Sequence, residues 1–339
     1  MHHPTLEGYR LPAEWETHAR TWLSWPHKRA SWPGKFGPIP AIWTELVEIL
    51  VESEPVNVLA AGAQVYQQAQ RLVGNLSGVT IHDVPTNDAW IRDYGPTFLV
   101  GPGEPALIDW KYNAWGGKYP PFDLDDSVPR HVARITGRRT FSGNMVLEAG
   151  AIEVNGRGTL LTTEQCLLNT NRNPAMSQKQ IETRLQEYLG VENILWLASG
   201  IAGDDTDGHI DELARFVGPR AVVAALEEDS SDENYEPLQE NFSRLLRMKD
   251  QEGLSLEVIP LPMPRPIYHD NMRLPASYAN FYIANGVVVV PRFDDPADTV
   301  VVELLAGLFP DRHIHRIRAV DLVWGLGALH CITQQEPVI

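Results

Sequence analysis

Cys331 sits between a histidine and a Thr-Gln-Gln run in WGLGALHCITQQ (324–335), and the 339-residue chain holds one other cysteine, Cys166. A thiolate at Cys331 would be a nucleophile or a soft metal ligand, and a buried thiol would be a small apolar filler. Three other segments carry polar groups in chemically suggestive places. TNDAWIRDYGP (86–96) sets Asp88 and Asp93 around two large residues and Arg92, a pattern that also suits turn residues capping a strand. MVLEAGAIEVNG (145–156) embeds Glu148 in an apolar run, where a carboxylate is costly unless paired or used. GDDTDGHIDELARF (203–216) spaces His209 and Asp211 two apart, on one side of the chain if that segment is extended. Asp207, His209 and Asp211 read D-x-H-x-D, and oxygen and imidazole ligands at this spacing suit manganese. Covalent chemistry at Cys331 and metal chemistry at His209 are therefore the two readings to weigh.

The elements that must position these groups alternate helical and strand patterns from end to end. Helices are expected at 39–54, with Ile42, Leu46, Ile49 and Leu50 on one face, and at 63–76, 177–190, 234–252 and 298–309. Ser177 and Gln180 stand in capping-box spacing, and Gly190 is a stop signal. Strands are expected at VNVLA, VTIHDV, TFLV, ALIDW, AIEVN, TLLTT, NILWL, AVVAAL, LEVIPL, FYIANGVVVV and HIHRI. Such alternation ordinarily implies a doubly wound parallel sheet. Here AIEVN/TLLTT around Gly156-Arg157-Gly158 and FYIAN/VVVV around Asn285-Gly286 read as hairpins, which fit several small strand–helix units around a centre better. No linker or low-complexity tract divides residues 1–339, so one α/β domain is expected.

Composition bounds the setting. Lys plus Arg is 28 against 44 Asp plus Glu, a net charge of −16, which repels phosphate backbones and argues against nucleic acid. Two cysteines cannot build a disulfide framework, the N-terminal MHHPTLEGYR lacks an apolar signal run, and runs such as Val287–Pro291 are too short to span a bilayer. A cytoplasmic protein with free thiols and no membrane segment is expected.

The four segments, with LPAEWETHARTWLSWPH (11–27), NAWGGKYPPFD (113–123), LTTEQCLLNTNRNP (161–174), DENYEPLQEN (232–241) and RLPASYANFYIAN (273–285), resemble the agmatine deiminase family over nearly the whole chain. These proteins, also called agmatine iminohydrolases or bacterial peptidylarginine-deiminase-like proteins, belong to the guanidine-modifying penteins. The resemblance implies a pentein fold, a five-bladed β/α propeller with pseudo-fivefold repeats around a central pocket. It carries the nucleophile onto Cys331, the catalytic histidine onto His209, the guanidinium-holding aspartates onto Asp93 and Asp211, and the motif glutamate onto Glu148, which would orient His209 or assist the guanidinium. It implies a small guanidino substrate, with no metal and no organic cofactor. By contrast, D-x-H-x-D resembles manganese ureohydrolases such as arginase, but their G-G-D-H and second D-x-D stretches are absent.

Two departures bear on substrate choice. Ala149 stands where the family usually has glycine, and Ala328 falls in a stretch that often reads G-G-G-N. The first would tighten the pocket beside Glu148 and the second removes a polar contact near the nucleophile. Asp88, Trp90 and Trp115 are candidates for the far amine of agmatine, Arg92 for the carboxylate of arginine, and Asn280 for the pocket lining. Cys166 reads as a buried apolar side chain, and His330 as facing away from the chemistry. Free arginine, peptidyl-arginine, an amidinotransferase and a non-catalytic binder remain alternatives, and a homodimer is left open.

Overall fold

The computed structural model describes residues 3–338. Five small sheets share one pairing pattern, in which an antiparallel pair is extended by a parallel neighbour. Thr97–Leu99 pairs Ala106–Lys111, which pairs Arg139–Val146. Glu153–Val154, Thr159–Thr163 and Asn193–Leu197 repeat it, as do Ala214–Phe216, Ala221–Leu226 and Glu257–Pro262, and Tyr282–Ile283, Val287–Arg292 and His313–Arg318. The fifth sheet joins the chain ends: Gln334–Pro337 runs antiparallel to His18–Ser24, followed in parallel by Val56–Leu59 and Val79–His82. A small hairpin, Tyr268–His269 with Met272–Arg273, stands apart from these sheets.

Parallel neighbours need a crossover, and each crossover carries a helix. These are Ile39–Leu50, Ala63–Leu72, Asp123–Thr136, Gln178–Leu189, Tyr235–Leu245 and Ala297–Leu308. Five match the expected amphipathic segments. Asp123–Thr136 was absent from that reading because Pro129 interrupts it, yet the helix forms around the proline, with Asp123, Asp125 and Asp126 in its first turn and Gly137 at φ +68° closing it. At Gln178 the capping box is present: the Gln180 side chain accepts from the Ser177 N–H at 2.8 Å. All eleven expected strand segments contain strand, and both expected hairpins form. Strands His18–Ser24, Arg139–Val146, Ala214–Phe216 and Gln334–Pro337 were not anticipated, since tryptophans, glycines and charges break their alternation. Among the described residues no helix is long and apolar enough to cross a membrane.

One feature of this plan places the site. The first strand of each sheet is preceded within five residues by one polar group singled out above: Asp93 before Thr97, Glu148 before Glu153, His209 before Ala214, Asn280 before Tyr282 and Cys331 before Gln334.

Candidate active site

Cys331 lies in a tight turn, 7 % exposed, and Asn280 grips it from beneath. Asn280 Oδ1 accepts the backbone N–H of His330 at 3.0 Å and of Cys331 at 3.3 Å, while Nδ2 donates to Cys331 Sγ at 3.1 Å. Asn280 therefore sets the Cys331 turn, and it is not part of the cleft lining where the sequence reading expected it. Asp211 Oδ2 at 3.8 Å and Glu212 Oε1 at 4.0 Å also face the sulfur. Burial, then the charges of Asp211 and Glu212, push the thiol well above its usual range, so the free site holds a neutral thiol.

Asp93 is held on the other side. The run Ala114 to Gly117 takes four consecutive positive φ angles, 52°, 54°, 90° and 81°, a strained path that Asn113 closes by accepting the Gly116 N–H at 2.9 Å. That turn aims Trp115, whose Nε1 donates to Asp93 Oδ2 at 2.9 Å, while Gly150 N–H donates to Asp93 Oδ1 at 3.1 Å. Trp115 is thus a holder of the carboxylate as well as a wall of the cleft. Burial pushes Asp93 up to about 6, with His209 opposing and Asp211 adding to the shift.

His209 Nδ1 stands 3.6 Å from Asp93 Oδ1. Burial alone would favour the neutral ring, but Asp93, Cys166 and Glu148 raise His209 well above its usual value, so it carries a proton at neutral pH. His209 and Asp211 do not share one side of an extended strand. Ile210–Glu212 is a 3-10 turn, and it delivers Asp211 next to Cys331. Asp211 Oδ2 accepts from His330 Nδ1 at 2.7 Å, and His330 Nε2 donates to Glu14 Oε2 at 2.7 Å. Burial works against the Asp211 charge, yet His330 holds its carboxyl below the usual range. His330 faces away from the cleft, as expected, and its job is to clamp Asp211.

Glu148 is fully buried, and Arg172 Nε donates to its Oε1 at 2.7 Å. Arg172 also donates to Asp207 Oδ2 at 2.5 Å, and Lys118 to Asp207 Oδ1 at 2.9 Å. Asp207 is thereby turned to those cations, and the D-x-H-x-D residues do not converge. Ala149 has a negative φ and faces a separate small cavity beside Glu14, Arg92 and His330, so its methyl does not tighten the cleft. Cys166, read as filler, is buried against His209 and Glu148. Arg172, Glu14 and Glu212 were missed, because nothing in local spacing marks a partner that arrives from another sheet.

The cleft encloses about 360 Å³, with Asp93 and Cys331 among its lining and Trp90, Trp115, Tyr119, Trp324, Asp88 and Asp205 around them. Trp90 packs its ring 5.3 Å from that of Trp32. Asp88 is already engaged, by Ser31 Oγ at 2.7 Å and Lys28 Nζ at 3.1 Å. Arg92 does not reach the cleft: it donates to the His330 carbonyl and to Gln335 and pairs with Glu14.

The Porphyromonas-type peptidyl-arginine deiminase profile matches residues 10–337. The chain belongs to that family. An agmatine deiminase from Ectopseudomonas mendocina is 37% identical, across 98% of this chain and 97% of its own. The solved agmatine deiminase of Enterococcus faecalis superimposes with a TM-score of 0.94 at 35% identity, covering 100% of this chain and 98% of that one. An amidinotransferase from Microseira wollei, at 13% identity and a TM-score of 0.54, shares the fold. In this deiminase-family chain, Glu148 Oε2, His209 Nε2, Asp211 Oδ1 and Glu212 Oε2 are buried and have no partner among the described residues. The three unpaired carboxylate oxygens, on Glu148, Asp211 and Glu212, are expensive to bury unless a donor-rich group meets them, and a guanidinium presents N–H groups in several directions.

Proposed function

We propose that this protein is an agmatine deiminase, hydrolysing agmatine to N-carbamoylputrescine and ammonia. The observation that carries the reading is the arrangement of buried carboxylates, Asp93, Asp211 and Glu212, around the Cys331 thiol, with a protonated His209 at Asp93. Carboxylates hold the planar cation by paired hydrogen bonds. Its positive charge offsets the carboxylates that, together with burial, keep the thiol neutral, so the thiol releases its proton to solvent and the thiolate forms when the substrate is bound. Sγ then attacks the guanidinium carbon, His209 protonates the departing nitrogen, and ammonia leaves. Water, deprotonated by the same histidine, adds to the amidino-thioether carbon, and the C–S bond breaks to give the ureido product and free Cys331. Glu148 and Asn280 are positioning residues, for His209 and Cys331 respectively.

The choice of agmatine rests on the cleft walls. They present Asp205, Asp88 and four aromatic rings, which suit an alkylamine by charge and cation–π contact. Asp205 is tied to the Tyr119 hydroxyl. Among the described residues that line the cleft, the lysine, Lys28, is paired to Asp88, and Arg92 is spent elsewhere, so the α-carboxylate of arginine would find no unpaired lysine or arginine in that lining. The five like-patterned sheets, each leading a site residue toward one place, support a single domain built as a five-bladed ring around the cleft.

Incubation with agmatine and no amine acceptor tests the activity. Ammonia and N-carbamoylputrescine are expected from agmatine and far less from arginine or a blocked arginine peptide, with Cys331→Ser inactive. Urea and putrescine instead would reject the covalent reading, and dependence on an acceptor would indicate an amidinotransferase.

A further inference from the structure

Cys166 takes no part in that scheme, yet it is placed where an apolar filler would have served as well. It lies in the short helix Glu164–Leu167, 0% exposed, in the sheet-connecting segment before Gln178. Its Sγ, a ring nitrogen of His209 and a carboxylate oxygen of Glu148 all fall within 4.8 Å of one another, and all three residues are buried. Glu148 Oε2 is without a hydrogen-bond partner among the described residues, and the His209 ring faces the Cys166 thiol. Three features make this more than a chance contact. Thiolate, imidazole and carboxylate together form a donor set suited to zinc, which binds such atoms at about 2.0–2.3 Å and can keep a fourth position for water. His209 Nδ1 faces the Asp93 carboxylate at 3.6 Å, the outer contact that holds a metal-binding imidazole in orientation. Arg172, which donates to Glu148, also donates to Asp207, so its charge is divided between two carboxylates.

We propose that Glu148, Cys166 and His209 form an inhibitory binding site for a thiophilic divalent cation, best matched by Zn2+. On binding, the Cys166 thiol and the histidine ring release their protons to solvent, and three coordinate bonds form from Sγ, a ring nitrogen and a carboxylate oxygen. His209 is then committed to the metal and has no proton to give the leaving nitrogen. The inhibition rests on the deiminase reading, whereas the binding does not, and the experiment separates the two.

Co2+ serves as the spectroscopic probe, since a cobalt–thiolate bond produces a charge-transfer absorption that an oxygen or nitrogen site lacks. In Cys331→Ser protein the sole remaining thiol is Cys166, so a charge-transfer band that Zn2+ displaces is expected there, and its absence overturns the site. In Cys166→Ser protein the band is expected to vanish; a band retained there places the metal on Cys331 and overturns the site equally. With the unaltered enzyme, Zn2+ should suppress turnover and a chelator should restore it. In Cys166→Ser, measured against its own metal-free rate, the half-inhibiting Zn2+ concentration should rise by at least about tenfold. An unchanged value would overturn the inhibitory role even if cobalt binds.

Discussion

A β-carbon added to Gly150 would stand 2.6 Å from Asp93 Oδ1, 2.7 Å from His209 Nδ1 and 3.2 Å from Asp211 Oδ2, so this glycine keeps the centre of the site open. Its φ lies outside the positive region, and alanine is conformationally acceptable there. Gly150→Ala is therefore expected to lower kcat/KM by about 100-fold or more, the scale of a roughly 1 Å displacement of reacting groups, with little change in melting temperature. Steady-state kinetics alongside thermal unfolding would check it, and loss of both together would place the damage in the fold. Asp93 supplies a second expectation. With its carboxyl pushed up to about 6, the acid limb of kcat/KM should fall near that pH, because protonation removes the acceptor for a cation in the free enzyme. The kcat limb should lie lower, since bound guanidinium favours the carboxylate. The folded value exceeds the ordinary 3.8, so the group adds stability below pH 3.8 and loses it as pH rises through about 6. Asp93→Asn should accordingly raise stability at pH 7 by about 1–3 kcal/mol while abolishing turnover. A kcat/KM limb near 4 would mean that another group binds the cation.

At the scale of elements, the left-handed turn at Ala114 to Gly117 does what no regular helix or strand would: it points the Trp115 indole at Asp93. Gly116 has φ +90°, and a side chain there would collide with the Asn171 amide. Gly116→Ala should cost about 1–3 kcal/mol of stability through backbone strain. It should also raise KM, because a loosened Trp115 releases the Asp93 carboxylate, the group proposed above to hold the substrate. Urea unfolding and substrate titration together test it. An unaltered KM in a destabilised variant would show that Trp115 holds Asp93 by packing elsewhere. The short turn Ile210–Glu212 works in the same way, since a 3-10 step brings Asp211 and Glu212 both within reach of the sulfur.

For the whole molecule, the last strand is what joins the chain ends. Gln334–Pro337 pairs with His18–Ser24, Trp22 Nε1 donates to Glu336 Oε2 at 2.9 Å, and Gln334 Nε2 donates to the Pro96 carbonyl at 3.0 Å. Removing residues 334–339 would delete these contacts and leave Glu14 and Arg92 near an unanchored Cys331 turn. The expected result is a loss of at least about 3 kcal/mol in urea unfolding, in the range of severe disruptions, together with loss of turnover. A truncated protein with near-normal unfolding would show that the first sheet holds without its final strand. The −16 charge also acts at this scale, drawing a cationic substrate toward a cleft with acidic walls.

Local pattern determined much of this protein. Val287–Arg292 and Ala221–Leu226 are strands because their apolar runs fit buried parallel pairing, Thr159–Thr163 because its leucines and β-branched threonines suit the same setting, and Gln178–Leu189 is a helix because its start and stop residues agree with its 3.6-residue period. Glu148 stood out because it interrupts an apolar run, whereas Asp93, His209, Asp211 and Cys331 took their roles from the resemblance to the agmatine deiminase family. Which of them meet, and through whom, was decided only by the tertiary structure. Arg172 on Glu148, Glu14 on His330, Glu212 beside Cys331 and Cys166 beside His209 bring together segments separated by up to 316 residues. Periodicity describes a residue relative to its own element and is silent about which loop ends share one end of neighbouring sheets. That arrangement follows from packing the sheets with their helices, and it turns Asn280 from an expected part of the lining into the support of the Cys331 turn, and His330 from an apparent bystander into the clamp on Asp211.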